Sequence, residues 1–169
     1  SIEILQPLFL NKCTLMVTLH LLSASGRISD MPEPSWATSD ATRRSMQGNR
    51  GRDTGPELAV RSAVHSRGLR YRVNTRPLPE LRRTADLVFS RPRVAVFVDG
   101  CWWHGCEEHY SAPRANADYW HRKVESNRRR DADTNCRLQE AGWIVLRFWE
   151  HDDPEQVATQ VEEVVRPRG

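Results

Sequence analysis

One uniformly apolar run, Val94-Ala-Val-Phe-Val98, constrains the fold of this 169-residue chain more than any other stretch. Its side chains do not alternate between apolar and polar, so the run predicts a strand that is buried on both faces. A strand of this kind lies in the middle of a sheet that helices cover. The run therefore predicts an α/β domain.

Start and stop signals around this run predict the other elements. Thr54 and Glu57 have the spacing of a capping box, Pro56 suits the first turn of a helix, and Gly68 suits its end. The order favours one sheet flanked by helices. The predicted helices are 54–68, 119–141 and 157–165, the predicted strands are 69–73, 82–89, 94–98 and 143–149, and residues 101–118 are a predicted loop.

Charge divides the chain into three predicted parts. Residues 1–30 hold two acidic and two basic side chains, and we expect them to be an extension without a folded role. Residues 31–55 are a predicted basic arm, and residues 56–169 are the predicted domain. No apolar stretch is long enough to cross a bilayer. Few cysteines and no convincing signal peptide favour a reducing cytoplasm.

The basic residues are nearly all arginine, because only Lys12 and Lys123 among the 25 are lysine. The planar arginine fork suits phosphates and base edges, although codon bias in a GC-rich genome explains the same excess. The net charge of +3 is too small to identify a nucleic-acid partner by itself. The composition is therefore compatible with DNA binding without establishing it.

Acidic and imidazole side chains near the strand ends are candidates for catalysis. Asp86 lies in the second predicted strand, and Asp99 directly follows the apolar run. If these strands pair, both carboxylates meet at one sheet edge, where Mg²⁺ binds oxygen ligands and assists phosphodiester cleavage. A neutral His104 can take a proton from the attacking water, a positively charged His104 can instead stabilise the leaving group, and Asp131 can orient the ring. The alternative is a structural role, with the aspartates capping turns.

Cys101, Cys106 and His109 form a cluster of soft metal ligands in the predicted loop. Thiolates and imidazoles at this spacing favour tetrahedral zinc, which needs a fourth ligand. His151, just past the last predicted strand, is a better candidate than Cys136, which lies within the long helix. A disulfide between Cys101 and Cys106 is the alternative to a zinc site.

Aromatic and basic side chains surround this cluster. Trp102 and Trp103 lie in the same loop, and Tyr119 and Trp120 begin the long helix. Exposed aromatics can stack on bases or wedge between them, and packing is the alternative. Residues 121–131 carry five positive and two negative side chains. This is a solvated face by default, and beside a metal site it becomes a candidate phosphate-binding face.

In order and spacing, these motifs resemble those of the very-short-patch repair (Vsr) endonucleases, bacterial relatives of the restriction-endonuclease fold. The most specific block is Phe97-Val-Asp-Gly-Cys-Trp-Trp-His-Gly-Cys106, and the resemblance extends from about residue 42 to residue 151. It implies a single restriction-endonuclease-like domain, with a central mixed sheet flanked by helices and a structural zinc site.

The resemblance implies a Mg²⁺-dependent endonuclease that nicks one strand beside T:G mismatches, which arise when 5-methylcytosine deaminates. Asp86 and the main-chain carbonyl of Val98 match the Mg²⁺ ligands. His104 matches the histidine that handles the water proton, and Asp131 matches its acidic partner. Glu57 matches a first-helix glutamate near the active site. The implied zinc ligands are Cys101, Cys106, His109 and His151.

The resemblance also implies contacts with double-stranded DNA. Trp102, Trp103 and Trp120 match aromatics that wedge into DNA beside the mismatch. We accordingly expect a monomer that acts in the bacterial cytoplasm without a membrane partner, and mismatch-repair proteins such as MutL are candidate partners. The other implied DNA-binding residues are Lys123, Asn127, Arg130, Arg43 and Arg44.

Three positions depart from the family pattern. Asp99 stands where some members have histidine, which leaves open whether it binds metal or only shapes the site. Cys101 stands where the wider superfamily has lysine, as expected of Vsr-like enzymes. His151 stands where the family often has cysteine.

Two alternative functions remain open at this point. A general restriction-type endonuclease of the same fold needs neither the zinc cluster nor the loop tryptophans. A zinc-stabilised DNA-binding protein without catalysis does not need Asp86, His104 and Asp131 together.

Overall fold

The structure is a computed structural model, and it describes residues 52–111 and 116–168. These residues belong to one compact unit, Trp36–Gly169. The predicted extension, and with it most of the predicted basic arm including Arg43 and Arg44, lies outside the described residues. The division into extension, arm and domain therefore stays a prediction.

The helices and strands follow one another largely in the predicted order. One difference is a short helix inside the predicted loop, and another is a first strand that begins later than expected. The helices are α1 (Gly55–Ser66), α2 (Cys101–His104), α3 (Ala117–Glu140) and α4 (Pro154–Val165), followed by a 3-10 turn at Arg166–Arg168. The strands are β1 (Arg72–Thr75), β2 (Ala85–Phe89), β3 (Val94–Asp99) and β4 (Ile144–Trp149).

The described strands form one mixed sheet in the order β1-β2-β3-β4. The pairs β1–β2 and β2–β3 are antiparallel, and β3–β4 is parallel. The α/β class and the central mixed sheet are therefore confirmed. Because β3 and β4 are parallel, their carboxyl ends meet, and Asp99 pairs with Trp149 there.

Helices cover both faces of the sheet, which explains why the β3 run is uniformly apolar. Val94 and Val96 belong to the core cluster beneath α1 and α4. Ala95 and Phe97 belong to a second cluster, which includes Leu138 of α3. Successive side chains of a strand point to opposite faces, so the first four positions of the run are buried alternately in the two clusters, and Val98 packs against the first cluster from a partly buried position.

The first strand begins later than predicted, because the residues just before it pack against the core without pairing with β2. Tyr71 packs edge-on against Phe89, with ring centroids 5.8 Å apart, and its hydroxyl donates to the carbonyl of Arg61 at 2.7 Å. The β1–β2 ladder begins only at the pair Arg72–Val88. Leu69 and Tyr71 of the predicted strand 69–73 therefore contact the core before β1 begins, whereas Val73 lies in β1 and is 45% exposed.

The short helix α2 begins directly after β3 and ends at a glycine. The amide groups of Trp103 and His104 both donate to the carbonyl of Gly100 at 3.1 Å. Gly105 has a φ of +67°, and a Cβ there would lie 2.7 Å from a methyl carbon of Val124 on α3. Glycine thus provides both the left-handed turn and the close approach to α3.

None of the helices in the described ranges is both long and apolar enough to cross a membrane.

Candidate active site

A carboxylate–imidazole cluster lies at the carboxyl end of β3. His104 Nδ1 is 2.5 Å from Asp131 Oδ2 and 3.8 Å from Asp99 Oδ1. Burial opposes ionisation of Asp131, but the hydrogen bond from His104 and the charge of Arg147 outweigh it and lower the pKa of Asp131. An ionised Asp131 accepts, so Nδ1 carries the proton and Nε2 is the ring nitrogen without that bond. The sequence prediction that Asp131 orients His104 agrees with this geometry.

Asp86 occupies the place where β2 and β3 separate. The two strands pair only from Leu87–Val96 to Phe89–Val94, and beyond that ladder the amide of Val98 donates to Asp86 Oδ2 at 2.7 Å. The N–H and C=O of one strand residue point to the same side of the strand. The carbonyl of Val98 therefore faces the side of β3 on which Asp86 lies.

The environment of Asp86 disfavours its negative charge. Burial is the largest cause, and the hydrogen bond from Val98 only partly offsets it; the charges of Glu57 and Asp99 add to the effect. Together they raise the pKa of Asp86 to about 6. A divalent cation would relieve this repulsion, so the residues at this position fit the predicted Mg²⁺ site.

Glu57 lies on α1 and is 6% exposed. Its carboxylate accepts from the amide of Asp53 at 2.7 Å and from the hydroxyl of Thr54 at 3.0 Å. The Thr54 hydroxyl thus points to Glu57, and it makes no bond to the helix backbone as a full capping box would. Arg61 NH2 pairs with Glu57 Oε2 at 3.2 Å. Glu57 therefore acts on Asp86 through its charge, from a fixed position.

The sequence reasoning missed Arg147, which occupies the middle of the apolar strand β4. Its NH1 donates to both oxygens of Asp99, at 2.7 and 2.6 Å, and NH2 lies 3.3 Å from Asp131 Oδ1. The guanidinium also lies over the ring of Phe97, 4.5 Å from its centroid. A single arginine among Ile-Val-Leu and Phe-Trp was the available signal, because an unpaired charge is rarely buried in a strand.

The predicted zinc ligands lie together. The ligand atoms of Cys101, Cys106, His109 and His151 are all within 4.8 Å of one another. His151 Nδ1 is 3.0 Å from the sulfur of Cys101, and His109 Nδ1 is 3.7 Å from that of Cys106. Both cysteines are buried free thiols, so the alternative disulfide is not formed.

The donor chemistry of this group fits zinc. Burial raises the pKa of Cys101 to about 12, and the neighbouring Cys106 contributes, so it is the charge of a bound cation that would ionise this thiol. Burial opposes ionisation of Cys106 too, but hydrogen bonds from His109 outweigh it and lower its pKa. Two sulfur and two imidazole donors at these separations match a tetrahedral ion with bonds of about 2.0–2.3 Å. The structure brings all four predicted ligands to one place.

The loop aromatics form one cluster around α2 and the start of α3. Trp120 meets Trp102 and Trp103 with ring centroids 6.0 and 6.1 Å apart. Tyr110 and Tyr119 extend the cluster at 5.6 Å from Trp102 and 5.2 Å from Trp120. Trp103 is 36% exposed, so the cluster presents an aromatic edge to solvent.

The predicted DNA-binding residues of α3 differ in position. Lys123 and Arg130 are exposed, as a phosphate contact requires. Asn127 is 6% exposed, and its amide donates to the carbonyl of Trp103 at 2.8 Å. This position favours a role in holding α2 over the direct DNA contact that the sequence predicts. Arg128, which was not predicted, donates to the carbonyl of His104 at 3.0 Å and supports the same helix.

Comparisons with known proteins show the family of this chain. The family model for the DNA mismatch endonuclease Vsr matches residues 37–110. The chain is 42% identical to the type II nicking enzyme V.NaeI of Lentzea aerocolonigenes over 120 residues, which are 70% of this chain and 72% of that enzyme. The chain belongs to the Vsr family of DNA endonucleases.

Other relatives of this Vsr-family chain carry related names. It is 40% identical over 117 residues to the type II nicking enzyme V.NmeDIP of Neisseria meningitidis serogroup C, covering 68% of this chain and 77% of that one. It is 35% identical over 112 residues to the DNA mismatch endonuclease Vsr of Escherichia coli K12, covering 65% and 70%. The predicted family and the predicted class of enzyme, a DNA endonuclease of the nicking type, are confirmed.

Proposed function

We propose that this Vsr-family enzyme is a Mg²⁺-dependent mismatch endonuclease that nicks one strand of double-stranded DNA beside a T:G mismatch. The observation that carries the proposal is that α2 holds both Trp102–Trp103 and His104. An aromatic edge suited to an unstacked base step and a histidine suited to proton transfer thus share one short helix. Recognition of a mismatch and cleavage beside it are thereby joined in space.

The chemistry assigned to each side chain follows from its partners. Asp86 and the carbonyl of Val98 would hold Mg²⁺, which when bound activates water and stabilises the leaving oxygen. His104 accepts the water proton at Nε2, because Asp131 holds the proton on Nδ1. Glu57 adds negative charge near Asp86 without occupying its position.

The remaining predicted residues serve recognition and stability. Trp103, with Trp102 and Trp120 behind it, would enter the base stack at the mismatch, and Lys123 and Arg130 would contact phosphates. Zinc on the Cys101–Cys106–His109–His151 group would fasten α2 to the end of β4, which positions the tryptophans. Action as a monomer and recruitment of MutL are predicted and extend this proposal.

A nicking assay tests the proposed function directly. The protein is incubated with Mg²⁺ and duplexes that carry T:G or C:G at one position, with each strand labelled separately. We expect a nick in the T strand of the T:G duplex and no cleavage of the C:G duplex. Cleavage of both duplexes would instead indicate a general endonuclease, and binding without cleavage a non-catalytic DNA-binding protein.

Two variants assign the chemistry in the same assay. Asp86→Asn keeps the size of the side chain and an acceptor for Val98 while removing the charge, so nicking should be lost and zinc retained. Asp118→Asn, an exposed aspartate in the first turn of α3, is the matched control and should nick as the wild type does. Loss of zinc from Asp86→Asn would contradict the separation of the two metal sites.

A further inference from the structure

The guanidinium of Arg147 has a partner at each of its three nitrogens, and the proposed chemistry does not use this residue. NH1 donates to both oxygens of Asp99 and NH2 faces Asp131, while Nε donates to Asn135 Oδ1 at 2.9 Å. The side chains of Arg147, Asp99 and Asp131 are 20%, 14% and 18% exposed. At this burial the ion pairs are screened less than surface pairs are, so they fix the positions of the groups.

Without the guanidinium, the groups around His104 would form a metal-binding set. One oxygen each of Asp99 and Asp131 and a ring nitrogen of His104 lie within 4.8 Å of one another. Two carboxylates and one imidazole are common ligands of divalent transition ions. An ion bound by this set would compete with His104 for Asp131, which is the hydrogen-bond partner of His104.

The position of Arg147 in β4 also determines which parts of the site it connects. In the β3–β4 register Arg147 lies beside Phe97, and Asn135 and Asp131 are one turn apart on α3. The guanidinium therefore connects the end of β3, through Asp99, with the helix that carries the partner of His104. Without this link the carboxylates of Asp99 and Asp131 would no longer share a cation, and the carboxylate that orients His104 would be free to move.

We propose that Arg147 is a positioning residue that takes the place of a metal ion in the Asp99–His104–Asp131 cluster. Its guanidinium neutralises Asp99 and keeps this carboxylate from binding metal, and its bridge to Asp131 holds His104 in place. The proposal resolves the open role of Asp99: it shapes the site as the partner of Arg147. The positioning part rests on the proposed nicking function, whereas the metal-binding part does not.

Manganese binding tests the proposal without any DNA. Mn²⁺ prefers oxygen and imidazole ligands, so it should bind outside the cysteine cluster when that cluster already holds zinc. The electron paramagnetic resonance signal of free Mn²⁺ then gives the number of Mn²⁺ ions that the protein binds. Arg147→Met should bind one Mn²⁺ more than the wild type, and Arg147→Met/Asp99→Asn should lose that extra site. An Arg147→Met protein that binds no additional Mn²⁺ would overturn the proposal.

Single-turnover nicking tests the positioning role. At saturating T:G duplex, Arg147→Met should react more slowly by a factor on the order of 10 to 100, as expected when a reacting group is misplaced, with an unchanged Kd for the duplex. Arg147→Lys keeps one charge but cannot bridge two carboxylates, so its rate should be intermediate and it should gain no Mn²⁺ site. An Arg147→Met rate equal to that of the wild type would contradict the positioning role.

The control is another arginine that pairs with an aspartate of α3. Arg83 NH1 contacts Asp133 Oδ2 at 2.5 Å and the hydroxyl of Thr134 at 3.0 Å. Arg83→Met should leave Mn²⁺ binding and the nicking rate unchanged, which separates the specific role from a general loss of stability. If the wild type does not nick, the proposed function fails, while the Mn²⁺ counts still decide the role of Arg147 and Asp99.

Discussion

Asp86 shows how a single side chain is placed at a cost to stability. Its carboxyl group is largely buried and feels the charges of Glu57 and Asp99, and its pKa rises from 3.8 to about 6. The folded protein therefore binds the proton more tightly than the unfolded chain does. Between these two pKa values stability falls as the pH rises, and above pH 6 the ionised carboxylate destabilises the fold.

Asp86→Asn should accordingly stabilise the protein at neutral and alkaline pH. The gain should be close to zero near pH 4 and reach at most about 3 kcal/mol above pH 7, since one pKa unit corresponds to about 1.4 kcal/mol. Urea unfolding at several pH values, without added Mg²⁺, measures it.

Asp133→Asn provides the opposite control, because the hydrogen bond from Arg83 lowers the pKa of Asp133. This variant should lose stability at neutral pH. Its loss should disappear as the pH falls through the folded pKa of Asp133. A uniform effect of Asp86→Asn at all pH values would contradict the burial of a charge at this position.

At the scale of elements, the sequence predicts the helices and strands that depend on a repeating local pattern. The unbroken β3 run predicts a central strand, and the polar stretch ending at Gly142 predicts α3, because each pattern extends over several residues. The helix α2 is different: it has four residues, and its start depends on Glu150, whose carboxylate accepts from the amide of Cys101 at 2.7 Å. Because Cys101 and Glu150 are distant in sequence, no local pattern could predict α2 from this contact.

The candidate site likewise has features that the sequence predicts and features that depend on the fold. Ligand type and spacing predicted the Cys101–Cys106–His109 group, and convergence of strand ends favoured His151 over Cys136 for the fourth position; the structure places His151 beside the other three side chains. The pairing of Arg147 with Asp99 could not be predicted, because it joins two strands that are distant in sequence and depends on their parallel register. The burial of Asn127 depends likewise on how α3 packs against α2.

The four ligands of the zinc cluster should act as a single structural unit. His151→Gln removes one ligand from the end of β4, so zinc content should fall and α2 should lose one of its connections to this strand. A loss of about 3 kcal/mol would lower the Tm by roughly 10 °C in a domain of this size. His121→Gln, an exposed histidine of α3, should change neither quantity. Full zinc occupancy in His151→Gln would show that the site does not need this ligand.

At the scale of the whole molecule, the apolar core and the candidate active site occupy different parts of the mixed sheet. The face beneath α1 and α4 is a continuous apolar cluster, and the carboxyl ends of β3 and β4 carry the acidic groups, α2 and the zinc cluster. The exposed aromatic edge and the basic residues of α3 adjoin this end of the sheet. DNA bound there would contact the aromatic edge through its bases and the basic residues of α3 through its phosphates. Because these two surfaces lie in different places, substitutions in one should leave the contacts of the other intact.

Trp103→Ala and Arg130→Ala should therefore weaken DNA binding in different ways. Loss of Trp103 removes an aromatic contact worth about 1–3 kcal/mol, and it should weaken binding to the T:G duplex more than binding to the C:G duplex. Loss of Arg130 removes a phosphate contact, so it should weaken both equally and reduce the slope of log K against log salt by about 1. Fluorescence anisotropy across a salt series measures both effects. Equal weakening of the two duplexes by Trp103→Ala would mean that this tryptophan does not contact the mismatch, and recognition would then depend on other residues of the aromatic cluster.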